Sequence, residues 1–131
     1  MLYLLDTNIC IYVINQRPPE VLAQFLAHEE DGLGISAITA SELYWGVRKS
    51  GSARNLRALE RFLAPLHVMD YGMEAAQEYG QLRAALERKG IPIGPLDMQI
   101  AAHALALDLT LVTNNQREFK RVAGLRLEKW A

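Results

Sequence analysis

Short apolar runs of strand length alternate with longer segments of helical periodicity along this chain, and that alternation leaves few architectures open. Leu2 to Leu5 form an unbroken apolar run that stops at Asp6. Ile9, Ile11, Tyr12 and Val13 then carry a helical pattern that Thr7 or Asn8 is placed to cap. Arg17-Pro18-Pro19 breaks the chain, and Pro19 or Glu20 starts a helix with Val21, Leu22, Phe25 and Leu26 as its stripe, closed by Asp31-Gly32. Leu33 to Ile38 reads as a second strand, followed by a helix from Thr39 or Ser41 that carries Glu42, Leu43, Trp45, Gly46 and Val47. After Ser50-Gly51-Ser52 comes a helix from about Arg54 to Leu63, stopped by Pro65; His67 to Met69 is a third strand. A long helix runs from about Met73 to Lys89, and the linker Gly90 to Pro95 leads to a helix with the stripe Leu96, Ile100, His103 and Leu107. Leu109 to Val112 and Leu125 to Leu127 complete the strands, the last at an edge. Alternation of this kind predicts an α/β fold with a central, mainly parallel sheet and helices on both faces.

At 131 residues the chain has the size of one domain, and residues 1–131 are read as such. A formal charge of −1 gives no global basic excess, so any nucleic-acid contact must come from local clusters. Cys10 is the single cysteine, which rules out an internal disulfide and a thiolate zinc site and fits a reducing cytoplasm; its apolar neighbours predict a buried, inert thiol. No apolar run approaches membrane-spanning length and no leader pattern is evident, so a cytoplasmic protein without membrane contact is expected.

Three acids stand where acids are least expected: Asp6 at a strand end, Glu42 in an apolar and small-residue helix start, and Asp97 in the first turn of an apolar helix. Taken singly, Asp6 and Asp97 have a plain reading as charges that favour helix N-termini, and Glu42 as an exposed helix residue. In a parallel sheet, however, strand ends and helix starts gather at one rim, where open α/β sheets bind ligands. Carboxylates meeting there repel by roughly 3 kcal/mol per pair at about 5 Å and an effective dielectric near 20. Such a cluster calls for a cation, and oxygen ligands select Mg²⁺ or Mn²⁺. An ion of this kind polarises a phosphoryl oxygen and activates water, the chemistry of phosphodiester hydrolysis.

LDTN around Asp6, SELYWG around Glu42, GPLDMQIAAHA around Asp97 and VTNNQREF near the C-terminus resemble, in order and spacing, the four signature segments of PIN-domain ribonucleases. With REFKRVAGLRLEKW at the end, the chain from Met1 to Trp130 is most similar to the VapC toxins of bacterial toxin–antitoxin pairs. The resemblance implies a PIN-like three-layer sandwich and an Mg²⁺-dependent endoribonuclease, with tRNA, such as initiator tRNA, as the expected substrate. Asp6, Glu42 and Asp97 match the metal-binding acids, and Asn8 and Thr113 match polar residues lining the site. It also implies a VapB-type antitoxin, a homodimer and a toxin–antitoxin hetero-oligomer. The chain departs from the pattern at Asn115, where many PIN domains carry a fourth acid; Glu118 is placed to supply that charge or to be a surface residue on a short helix.

Arg117, Lys120 and Arg121 follow the asparagine pair closely enough to flank the site and are the first candidates for binding RNA. Arg54, Arg57 and Arg61 share one helix face, either solvated or tracking phosphates. His103, within an apolar stripe, reads as a hydrogen-bonded core histidine. Two other functions compete. A phosphotransferase using Asp6 as nucleophile loses support because Asp6-Thr7-Asn8 lacks a second acid two residues on. A degenerate RNA-binding or partner-binding module is supported only by Asn115 and opposed by the three retained acids.

Overall fold

In the computed structural model, which describes residues 3–130, five parallel strands form one sheet in the order β3-β2-β1-β4-β5. The strands are β1 (Tyr3–Leu5), β2 (Leu33–Ser36), β3 (His67–Met69), β4 (Thr110–Val112) and β5 (Leu127–Glu128). The helices are α1 (Thr7–Asn15), α2 (Pro19–Ala27), α3 (Ala37–Ser50), α4 (Ala53–Leu63), α5 (Met73–Arg88), α6 (Pro95–Leu107) and α7 (Gln116–Phe119). Leu2, expected in the first strand, lies outside the described residues.

Side chains alternate across a strand, and this splits the core into two layers. Leu4 and Leu111 point to one face, where Ile100, Ala101 and Ala104 of α6 and Leu82 and Leu86 of α5 cover them. Leu5, Ile35 and Val112 point to the other, against Ile9 and Val13 of α1, Phe25 of α2, Leu43 of α3 and Leu59 of α4. Helices on both faces of a parallel sheet make the three-layer α/β sandwich expected from the sequence. Cys10 is fully buried in the second layer, as its neighbours predicted.

Several boundaries differ from the sequence reading. Neither Thr7 nor Asn8 caps α1; Asp6 does, its Oδ1 accepting the Ile9 N–H at 2.8 Å. β2 ends at Ser36 rather than Ile38, because the Ser36 hydroxyl accepts the Ile38 N–H at 3.0 Å and starts α3 two residues before Thr39. Both strands therefore pass into their helices with no intervening loop. The last strand falls at Leu127–Glu128, and Leu96, assigned to the buried stripe of α6, is exposed in that helix's first turn. Among the described residues no helix is long and apolar enough to cross a membrane.

Candidate active site

β1 and β4 deliver Asp6 and Thr113 side by side at the carboxyl end of the sheet, with the Asp6 N–H donating to the Val112 carbonyl at 3.0 Å. Asp6 is only 5 % exposed. Its pKa is pushed up from 3.8 to about 6, first by burial and further by the charges of Asp97 and Glu42, against the Thr113 hydroxyl and the Ile9 N–H, which favour the carboxylate. Asp97, in the first turn of α6 after Gly94 and Pro95, is half-buried; burial and the charges of Glu118 and Glu42 raise its pKa. Glu42, one turn into α3, accepts a hydrogen bond at 2.7 Å from the Thr7 hydroxyl on α1.

The acids thus lie near enough to act on one another electrostatically, and every charge raising Asp6 or Asp97 is acidic. Among the described residues the ion pairs are Arg83–Glu87 and Arg126–Asp108, so Asp6, Glu42 and Asp97 have no cationic partner. Nor do any three Asp, Glu, His or Cys side chains among the described residues form a ready-made metal cage. The arrangement is a rim of uncompensated carboxylates whose all-oxygen donor set suits a hard, partly hydrated cation.

Asn8 is exposed on the first turn of α1, and the hydrogen bonds reaching Asp6 come from Ile9 and Thr113 instead. Asn115 precedes α7, its N–H donating to the Thr113 hydroxyl at 2.9 Å and its side chain making no cap. Glu118, on α7, is near enough to raise the pKa of Asp97. Two polar residues were given no role in the site by the sequence reading. Thr7, read as a cap, is the side chain that holds Glu42, a hydrogen bond between residues 35 apart. Asn114 keeps a buried Oδ1 with no hydrogen-bond partner, flanked by Thr113 and Asn115. The only local sign of either was its place beside a motif residue.

Arg117 and Lys120 are exposed, whereas Arg121 is partly buried and donates to the Pro92 carbonyl at 3.2 Å, tying it to the linker before α6. His103 is buried as expected, with Nδ1 2.8 Å from the Ser36 hydroxyl and its ring edge-on to Tyr71. Beside the rim, a groove of about 220 Å³ opens between α1, α3 and α4, lined by Ile11, Ile14, Leu43, Val47 and Leu59, with Glu42 also on its wall.

A three-layer parallel fold with acids at the carboxyl rim of β1 and at the starts of α3 and α6 defines a class, and the family model of the PIN domain matches residues 3–125. The chain belongs to the PIN-domain family. It is 45 % identical over 130 residues to the tRNA(fMet)-specific endonuclease VapC of Shigella flexneri, covering 98 % of both chains. It is 46 % identical over 130 residues to ribonuclease VapC2 of Haemophilus influenzae, covering 98 % of this chain and 97 % of that one. Among solved structures it resembles VapBC2 from Rickettsia felis bound to a promoter DNA fragment, with a TM-score of 0.91, 41 % identity and full coverage of both chains. DNA-bound VapBC from Salmonella typhimurium is matched equally well, at a TM-score of 0.91 and 44 % identity, again with full coverage.

Proposed function

We infer that the chain is a VapC-type toxin, an endoribonuclease that uses Mg²⁺ or Mn²⁺ to hydrolyse RNA and is neutralised by a VapB-type antitoxin. The observation that carries this reading is the uncompensated rim: Asp6 is almost fully buried, its pKa rises to about 6, and no cation among the described residues offsets it. Burying a charge without a partner is unfavourable, so a carboxylate held in this way fits a site completed by a metal ion. Asp6, Asp97 and Glu42 would hold it; Glu118, which acts on Asp97, would supply a further acid, and Asn115, whose N–H is bonded to the Thr113 hydroxyl, an amide. When bound, the ion would polarise a phosphoryl oxygen and lower the pKa of a water.

The chain's own groups prepare that chemistry. Ile9 N–H and the Thr113 hydroxyl keep Asp6 oriented and favour its charged form, and Thr7 holds Glu42. Cleavage in this scheme does not use the RNA 2′-hydroxyl, so it leaves a 5′-phosphate and a 3′-hydroxyl. Purified protein is expected to cut RNA with Mg²⁺ or Mn²⁺ and to stop in excess EDTA; cleavage that survives EDTA, or 2′,3′-cyclic phosphate ends, would overturn the metal reading. Initiator tRNA is the substrate to try first, because a relative 45 % identical over 130 residues is a tRNA(fMet)-specific endonuclease. Sequencing RNA 5′ ends from cells expressing the chain tests that choice.

The antitoxin reading is supported by near-complete structural likeness to the toxins of two VapBC complexes. An acidic rim that accepts a metal also accepts a guanidinium in paired hydrogen bonds. An antitoxin arginine would then occupy the rim while an adjoining apolar segment fills the groove between α1, α3 and α4.

A further inference from the structure

Trp45 is the most conspicuous side chain outside the acidic rim. It lies on α3 with 66 % of its surface exposed, and the Lys49 ammonium rests over its ring at 4.9 Å from the centroid. At about 1.5 Å and 100° per residue, Trp45 is roughly 4.5 Å along the helix from Glu42, and Lys49 is two turns on, almost in line with Glu42. Leu43 and Val47, by contrast, turn into the apolar groove. The Trp45–Lys49 pair thus continues the line of Glu42 beside the groove rather than within it.

Positive charge then accumulates. Arg48, Lys49, Arg54, Arg57 and Arg61 fall on the α3–α4 hairpin with Glu60 as the one acid among residues 48–61, in a chain whose formal charge is −1. All five cations are exposed, and none is in either ion pair found among the described residues. Gly51 closes the hairpin at a φ of 65°, a left-handed conformation that glycine adopts freely, so α4 starts only three residues beyond α3. Arg54, Arg57 and Arg61, at i, i+3 and i+7, form a single edge of α4.

We propose that Trp45, Lys49, Arg48 and the Arg54–Arg57–Arg61 edge form a single-stranded RNA track on the α3–α4 hairpin that starts beside Glu42, with a base stacked on Trp45 and phosphates on the cations. The proposal deepens the ribonuclease reading and rests on it. An exposed aromatic face interleaved with unpaired cations is the combination that holds single strands without reading their sequence, and a polyanion complements a hairpin so rich in positive charge. A partner with mixed charges would leave most of these cations unmatched.

The test is anisotropy of a labelled single-stranded RNA of about 12 nucleotides, within the usual site range, bound to the full chain in EDTA so that no cleavage intervenes. Trp45→Ala is expected to weaken binding by about 5- to 150-fold. The triple variant Arg54→Gln, Arg57→Gln, Arg61→Gln should flatten the plot of log affinity against log salt by about 2, near 0.7 for each phosphate that is no longer neutralised. Arg83→Gln with Arg88→Gln, on α5, should leave affinity and slope as they were. Unchanged affinity and slope in both track variants, with the wild type binding normally, would overturn the proposal while leaving the ribonuclease reading intact. The proposal also falls if Trp45→Ala alters the sedimentation of the free chain but not its RNA affinity, since Trp45 would then cover a second copy. A wild-type chain that neither binds nor cuts RNA would overturn the ribonuclease reading itself.

Discussion

Replacing Asp6 by Asn should make the metal-free protein more stable, by an amount that depends on pH. Asp6 has a pKa of about 6 in the folded chain against an ordinary 3.8, so the native state binds this proton more tightly than the unfolded state does. The associated destabilisation is absent below about pH 3.8, grows as pH rises, and is complete above about pH 6. A difference of about two pKa units corresponds to roughly 3 kcal/mol, with little discount for solvent because the group is almost fully buried. Asn keeps an oxygen for the Ile9 N–H and caps helices as well as Asp does, so the substitution removes the charge and spares the cap.

Urea or thermal melts in EDTA are therefore expected to show Asp6→Asn more stable than wild type by about 2–3 kcal/mol at pH 8, a rise in Tm of roughly 6–12 °C for a domain of this size. About half of that difference should disappear by pH 5. Excess Mg²⁺ should raise the wild type more than the variant, since binding to the native state alone stabilises it. A variant no more stable than wild type at pH 8, or a difference that is the same at pH 5 and pH 8, would refute the reasoning.

Thr7→Val should release Glu42 and lower cleavage by about tenfold, the loss of roughly 1.5 kcal/mol expected for a hydrogen bond to a charged group, with little change in the melting curve; unchanged kcat/KM would mean that Glu42 needs no such positioning. Asn115→Asp should tighten Mn²⁺ binding and Glu118→Gln should weaken it, so identical isothermal titration curves for wild type and both variants would put this segment outside the metal's reach. Antitoxin binding to the triple variant Asp6→Asn, Glu42→Gln, Asp97→Asn should weaken and become insensitive to salt; if neither affinity nor salt dependence changes, the antitoxin acts away from the rim.

The parts of the fold that depend on periodicity were legible in the sequence. Alternating strands and helices imply the parallel sandwich, and the rule that strand ends and helix starts share a rim implies that Asp6, Glu42 and Asp97 gather there. Junctions were less legible. The apolar run Gly34-Ile35-Ser36-Ala37-Ile38 suits a strand throughout, and nothing local reveals that Ser36 stops it by capping α3. Leu96 fits the apolar period of α6 yet is exposed, because that helix's first turn lies at the rim rather than over the sheet. The Thr7–Glu42 hydrogen bond joins residues 35 apart on different helices, and an interaction of that kind leaves no trace in local pattern.

Asp6 also separates two explanations that the sequence left side by side. As the N-cap of α1 it takes the place the sequence reading gave to Thr7 or Asn8, and a cap is worth about 1 kcal/mol. Its buried charge opposes folding by about 3 kcal/mol at neutral pH, so the carboxylate is a net loss to the metal-free protein. Asn in this position would supply the same capping oxygen without that loss. Capping therefore accounts for an oxygen at position 6 and not for its negative charge, which needs a reason outside folding. A cation or a guanidinium at the rim supplies one, and the same logic extends to Asp97, whose pKa is raised by burial and by acids alone.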